Sequence, residues 1–196
     1  MKNLILAASL TATLILSSCG TNRRVERVST NEVIDLSGRW NATDSRLVAE
    51  EMMKDVLTRP WLNNFRNENG GKKPVLIVGQ IRNRTSEHID ATTFIKNMER
   101  AMVNDQTVTV VQSGEDRNQV RDERSDQKIF ADPATAKRWA KEKGADFMLT
   151  GVISSIEDQY KKEKTVLYQV NLELTNIETN EKVWIGEKQI KKYIKN

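Results

Sequence analysis

The chain has 196 residues, with 31 lysines and arginines against 27 acidic side chains, one histidine and one cysteine, for a net charge of +4. That length is enough for one domain around one core. The single histidine excludes a multi-histidine metal centre, the lone cysteine excludes an internal disulfide, and the interleaved charges argue against the one-sided basic stripe that nucleic acid binding requires.

Met1-Lys2-Asn3 precedes an uncharged run from Leu4 to Leu16. A basic start before an apolar run of this length predicts a secretory signal peptide, too short to span a bilayer comfortably. Leu16-Ser17-Ser18-Cys19 follows, and this pattern resembles the lipobox of bacterial lipoproteins. The resemblance implies that the Cys19 sulfur carries a diacylglycerol, that residues 1–18 are cut away, and that the new amino group is acylated. Small residues before the cysteine let a peptidase hold the extended chain. Two or more acyl chains hold a protein to a membrane stably, where one does so only marginally. Loss of Lys2 with the leader lowers the net charge to +3. Gly20-Thr21 lacks the aspartate that retains lipoproteins at the inner membrane of enteric bacteria. In place of the acidic cluster that resembles a surface-export signal stand Arg23, Arg24 and Arg27. The expected location is the outer membrane, lipid-anchored and facing the periplasm.

Gly20 to about Asn41 is polar and without period, which predicts a tether. Some 22 residues reach ~75 Å when extended and span ~26 Å as a coil. The expected organisation is residues 1–18 as signal peptide, 19–42 as lipidated N-terminus and tether, and 43–196 as a globular domain. Thr43 or Asp44 caps a helix whose apolar positions are Leu47, Val48, Met52, Val56 and Leu57, ended or bent by Pro60. Trp61, Leu62 and Phe65 predict a second short turn, and Asn69-Gly70-Gly71 a loop. Pro74 to Gly79 is an apolar run between breakers and predicts a strand buried on both faces. A polar loop, Asn83-Arg84-Thr85-Ser86, leads to a helix capped by Asp90 or Thr93, with Phe94, Ile95, Met98, Ala101 and Met102 inward. Thr107 to Val111 is β-branched at most positions and predicts a strand.

Glu115 to Asp126 is dense in charge and predicts an exposed helix or a mobile loop. Asp132-Pro133 starts a further helix with Ala136, Trp139 and Ala140 inward, ended by Lys143-Gly144. Phe147 to Ile153 predicts a strand. Val166, Tyr168, Val170, Leu172 and Leu174 alternate with polar residues along a half-buried strand, and Val183 to Ile190 returns after the Glu178-Thr179-Asn180 turn. The fold class is therefore α+β: a β-α-β unit, then an antiparallel three-strand meander, in one open mixed sheet with helices mostly on one face.

No persuasive catalytic constellation emerges. His88 lies in a polar loop, where solvation is the ordinary reading. Gly71-Lys72-Lys73 lacks the upstream glycine and the hydroxyl residue of a phosphate loop. Ser125-Asp126-Gln127-Lys128 matches a serine–lysine dyad, but its companion motifs are missing. The expectation is a protein that is not an enzyme, with no cofactor and no metal. Lys161, Lys162 and Lys164 sit at a hairpin tip, and Lys188, Lys191, Lys192 and Lys195 crowd the C-terminus. Solvated lysines are one reading of both groups; binding to an anionic surface is the other.

Several segments together resemble the LpoB family, lipoprotein activators of penicillin-binding proteins. They are the strand and loop from Pro74 to Thr85, the helix from Asp90 to Met102 with Thr107 to Val111 after it, Ala136 to Leu149 with its Gly144-Ala145-Asp146-Phe147 end, and Leu172 to Thr179 followed by Glu181 to Gly186. The same elements are similar to curli-secretion lipoproteins and to the N-terminal domain of the Tol-Pal β-propeller protein. The resemblance implies a non-enzymatic regulator that binds a class A penicillin-binding protein in the periplasm and stimulates peptidoglycan synthesis. A structural adaptor in envelope assembly or secretion is the alternative. Family members carry a long proline-rich tether, whereas this one is short and has no proline. Arg82, Asn83 and Arg84 are the candidate partner contacts, because a polar loop leaving a rigid strand offers arginine forks to a carboxylate-bearing partner. The other reading of Asn83 is a structural turn. The chain is expected to be a monomer with no nucleic acid partner.

Overall fold

The computed structural model describes residues 24–30, 32–135 and 142–195. Residues 33–196 form one compact unit and residues up to 32 another. In the latter, the described stretch has no helix or strand, and Arg24 pairs with Glu26 at 2.6 Å.

The first helix of the domain, α1 (Ala42–Thr58), begins at Asn41 rather than at Thr43 or Asp44. The Asn41 side chain accepts from the N–H groups of Thr43 and Asp44, and Asp44 accepts in return from the Asn41 N–H at 2.9 Å. This reciprocal arrangement satisfies orphan donors of the first turn. Val48, Met52 and Val56 are buried as expected, but Leu47 is exposed and Ala49 and Met53 take its place inside. Pro60 does not merely end the helix. It opens a second one, α2 (Pro60–Glu68), where its missing N–H is no loss. Trp61 and Phe65 of α2 stand edge-on to Phe147 at centroid distances of 5.1 and 5.4 Å.

β1 (Val75–Asn83) runs further than its apolar core. Asp90 caps α3 (Ala91–Asp105), with Phe94, Met98 and Met102 buried. Gln106, in the left-handed region, turns the chain into β2 (Thr109–Val111). The charged stretch after it is a helix, α4 (Gly114–Phe130), none of whose residues is buried. Asp132 caps a turn at Pro133 by accepting from the Ala134 N–H at 2.9 Å. Ala136, Trp139 and Ala140 lie outside the described residues. β3 (Phe147–Tyr160), β4 (Glu163–Asn176) and β5 (Lys182–Lys195) then form the antiparallel meander.

The sheet order is β2-β1-β3-β4-β5, with β1 parallel to both of its neighbours. Val170, Leu172 and Leu174 of β4 join Val48, Met52, Phe94 and Met98 of the helices in one core. The opposite face of the sheet exposes Met148, Ile156, Ile185 and Tyr193. The β1–β3 register shifts between Val78 and Ile81, a bulge that re-aims the end of β1. Gly79 sits in it because a Cβ there would come within 3.0 Å of Thr150 and 3.3 Å of Met148.

Candidate partner-binding surface and its supports

Arg82 is in the last turn of pleat of β1, paired in register with Val152 of β3, on the sheet face without helices. There it borders a shallow groove of about 250 Å³ with Gln80, Thr150, Val152, Asn171 and Glu173. Asn83 turns the other way and works on its own loop. Its side-chain oxygen accepts from the Thr85 N–H at 2.9 Å and the Thr85 hydroxyl at 2.8 Å, and its amide donates to the Glu87 carbonyl at 2.7 Å. Arg84 continues the sheet with its backbone, donating to the Ile153 carbonyl at 2.7 Å, and leaves its side chain exposed. Neither Arg82 nor Arg84 forms an ion pair among the described residues. The structure thus brings two arginine side chains to the surface on a strand end, with Asn83 as the turn that fixes them.

The loop beyond is fastened from behind. Glu87 accepts from the hydroxyl of buried Tyr168 at 2.6 Å and from the Trp40 N–H at 3.0 Å. Burial, and then the Glu87 carboxylate beside it, push the Tyr168 phenol well above the usual range. The Trp40 ring meets Tyr168 edge-on at 5.5 Å and its indole N–H donates to Ser45 at 2.6 Å. Ser86 donates to Glu157 of β3 at 2.7 Å. A hydrogen bond from Lys164, then one from Ser86, hold Glu157 below the ordinary glutamate range.

Sequence reasoning missed Lys192, which it grouped with surface lysines. Lys192 is only 8% exposed. Its ammonium donates to Asp35 at 2.7 Å, Asp44 at 2.7 Å and the Arg39 carbonyl at 2.8 Å, so all three donors are used. Burial alone would lower its pKa, but the bonds to Asp35 and Asp44 hold it above the usual lysine value. Residues 35–40 are thereby strapped across the end of β5, with Gly38 so close to Ile194 that a Cβ would meet its side chain at 2.4 Å. No sequence signal marks this lysine, since its acidic partners lie in a polar stretch far upstream.

Other candidates resolve into surface chemistry. The Ser125 hydroxyl donates to the Arg121 carbonyl of its own helix at 3.1 Å, so it is turned back on the backbone. Arg121 binds Glu142 at 2.7 Å, with Arg124 at 3.7 Å and Arg117 at 4.0 Å, and the Arg121 bond in particular holds Glu142 below its usual range. His88 is exposed. Among the described residues no group of acids, histidines or cysteines could hold a metal ion, and no helix is long and apolar enough to cross a membrane. Cys19 lies outside the described residues.

The fold is an α+β domain whose five-stranded sheet leaves one face bare of helices. The sequence profile of the family described as "Peptidoglycan-synthase activator LpoB" matches residues 44–190, and the chain belongs to that family. Among solved structures, it is similar to the LpoB C-terminal domain from Escherichia coli, at 19% identity over 75% of this chain and 98% of that one, with a TM-score of 0.43. It is also similar to lipoprotein GNA1162 from Neisseria meningitidis, at 10% identity over 61% and 83% of the two chains (TM-score 0.39). The PelC dodecamer from Paraburkholderia phytofirmans matches at 12% identity over 62% and 74% (TM-score 0.34). No curated protein sequence matches significantly.

Proposed function

We propose that the protein is a non-enzymatic lipoprotein, anchored through Cys19 to the outer membrane and facing the periplasm, that binds a class A penicillin-binding protein and stimulates peptidoglycan synthesis. The observation that carries this reading is the family match across residues 44–190, which spans the domain from α1 into β5. Arg82 and Arg84 supply partner contacts: guanidinium forks suited to carboxylates, at the end of β1 and on the loop after it, whose backbone is held by Asn83, Thr85 and Glu87. Stimulation needs only a higher affinity for the active conformation of the synthase. A coupling of about 1–3 kcal/mol corresponds to roughly 5–150-fold.

The test is a pull-down of the mature protein with the class A synthases of the same organism, coupled to a glycan-polymerisation assay. Direct binding with faster polymerisation is the expected result. Absence of both would leave an anchored envelope adaptor, whose client crosslinking in the envelope would identify.

A further inference from the structure

Two groups of lysines stood out in the sequence, and the structure separates them into paired and unpaired members. Lys164 is bound to Glu157, Lys188 to Glu51, Lys192 to Asp35 and Asp44, and Lys195 faces Glu163 at 3.8 Å. Lys161, Lys162 and Lys191 have no carboxylate partner among the described residues.

All three lie in the part of the sheet beyond Ile153, with Lys191 five positions of β4 away from the turn. Lys161 and Lys162 form the β3–β4 turn, and β4 carries Leu167 beside Lys191. On the face without helices the rows at this end read Tyr160–Glu163–Lys195, Asp158–Thr165–Tyr193 and Ile156–Leu167–Lys191. Tyr160, Tyr193 and Ile156 are all exposed. The hairpin runs seven residues beyond Ile153, the last β3 residue paired with β1, so it projects ~23 Å past the end of that strand. The result is a protruding tip of two tyrosines, one isoleucine and unpaired lysines, with the Asp158 and Glu163 carboxylates among them.

The turn itself holds a second clue. Lys161 has φ 54°, in the left-handed region. Two-residue hairpin turns put glycine or asparagine at such positions, and a lysine there is strained. The Lys161 ammonium sits 5.1 Å from the Tyr160 ring centre and otherwise points to solvent.

The third observation is where the chain enters the domain. The Lys192–Asp35 bond and the contact of Gly38 with Ile194 fix residues 35–40 to the last turns of β5. Lys192 pairs in register with Val166 and Ile194 with Lys164, so this entry lies at the hairpin-tip end of the sheet. Asp35 is 16 positions after Cys19.

We infer that the hairpin tip is a second membrane contact: Lys161, Lys162 and Lys191 bind the headgroups of anionic phospholipids while Tyr160 and Tyr193 lie at the interface. The inference rests on the Cys19 anchor proposed above. Lysines near an anionic leaflet contribute about fivefold each to partitioning, and tyrosine rings, apolar with a polar end, favour the headgroup layer. The strap brings the chain into the domain at this end, so the proposed anchor raises the effective concentration at which the tip's own weak affinity acts.

The experiment uses the mature lipidated protein in vesicles. With Cys19 acylated, an introduced cysteine is the only free thiol, and an environment-sensitive dye goes on Gln159→Cys at the tip or on Glu178→Cys at the far turn. The expected result is a blue shift at the tip in vesicles with about a quarter phosphatidylglycerol, reversed by 0.5 M salt as screening requires, absent in phosphatidylcholine vesicles, and absent at the far turn. Combined Lys161→Glu, Lys162→Glu and Lys191→Glu removes the shift, with circular dichroism confirming the fold. Equal tip signals in anionic and neutral vesicles, with the protein still vesicle-bound, would overturn the inference and leave the anchor intact. Protein that fails to stay with vesicles and presents a free Cys19 thiol would overturn the anchor and this contact together. Tip protection by purified peptidoglycan but not by anionic vesicles would assign the patch to the cell-wall polymer and overturn the lipid assignment.

Discussion

Replacing Lys192 by methionine isolates the buried strap. The substitution keeps the length of the side chain and its apolar stem, and removes the ammonium that Asp35, Asp44 and the Arg39 carbonyl share. Asp35 is 37% exposed and can turn to water, whereas Asp44 is 9% exposed and remains facing a thioether. Asp44 keeps one partner, the Asn41 N–H. Breaking a buried pair from one side typically destabilises by about 3–5 kcal/mol, and the surviving bond places this case at the lower end, ~3 kcal/mol. For a domain of about 160 residues that is a drop of ~6–12 °C in Tm. Urea unfolding followed by tryptophan fluorescence measures it, since Trp40 is next to the strap and Trp184 is across the core. The double variant Lys192→Met with Asp44→Asn should recover at least ~1 kcal/mol, because a neutral amide is cheaper to leave unpaired than a carboxylate. A loss under ~0.5 kcal/mol for Lys192→Met, the range of ordinary surface substitutions, would refute the reasoning, as would a double variant no more stable than the single one. The pH dependence carries the same sign. A lysine whose folded pKa lies above its unfolded value stabilises fully below about pH 10.4, and that contribution disappears as pH rises through the folded pKa.

Tyr168→Phe removes one donor to Glu87 and leaves that carboxylate, among the described residues, with the Trp40 N–H; the expected loss is about 1.5–3 kcal/mol by urea unfolding, as for hydrogen bonds to charged groups. Arg82→Glu with Arg84→Glu should abolish synthase pull-down with Tm unchanged, while Asn83→Ala should cost ~1 kcal/mol of stability through its lost turn bonds. Glu157 is held below its ordinary pKa, so its contribution is present above the unfolded value and is lost as pH falls through the folded one; Glu157→Gln should flatten the acid limb of a stability–pH profile. Gly38→Ala places a Cβ against Ile194 at φ +67° and should raise proteolysis near residue 38 while leaving the remainder of the domain protected.

The elements that were legible in the sequence are those whose periodicity is a direct image of burial. The alternation of Val166, Tyr168, Val170, Leu172 and Leu174 reads as a strand because one face of β4 is core and the other is not. Phe94, Met98 and Met102 read as one helical face for the same reason. Leu47 misled because two adjacent faces of α1 carry apolar residues, and only packing against the sheet chooses between them. Lys192 was illegible because a lysine's burial depends on its partners, and the Arg39 carbonyl it binds is 153 positions away in sequence. At the candidate surface, the polar loop and the turn chemistry of Asn83 were readable locally. That Arg82 borders a groove with Asn171 and Glu173 was not, since those residues come from another strand.

The strand order also governs how the chain finds its fold. β3, β4 and β5 close on one another through short turns, beginning with Tyr160 beside Glu163. β1 must instead enter between β2 and β3, and its Val75 N–H finds the Asp146 carboxylate 71 positions later. Closing that longer loop costs more chain entropy than closing the short hairpin turns. A meander that forms first, with β1 and α1 docking last, is the order to test by folding kinetics. With that order, chevron kinetics should show slower folding for substitutions in the β3–β4 hairpin and mainly faster unfolding for those in α1.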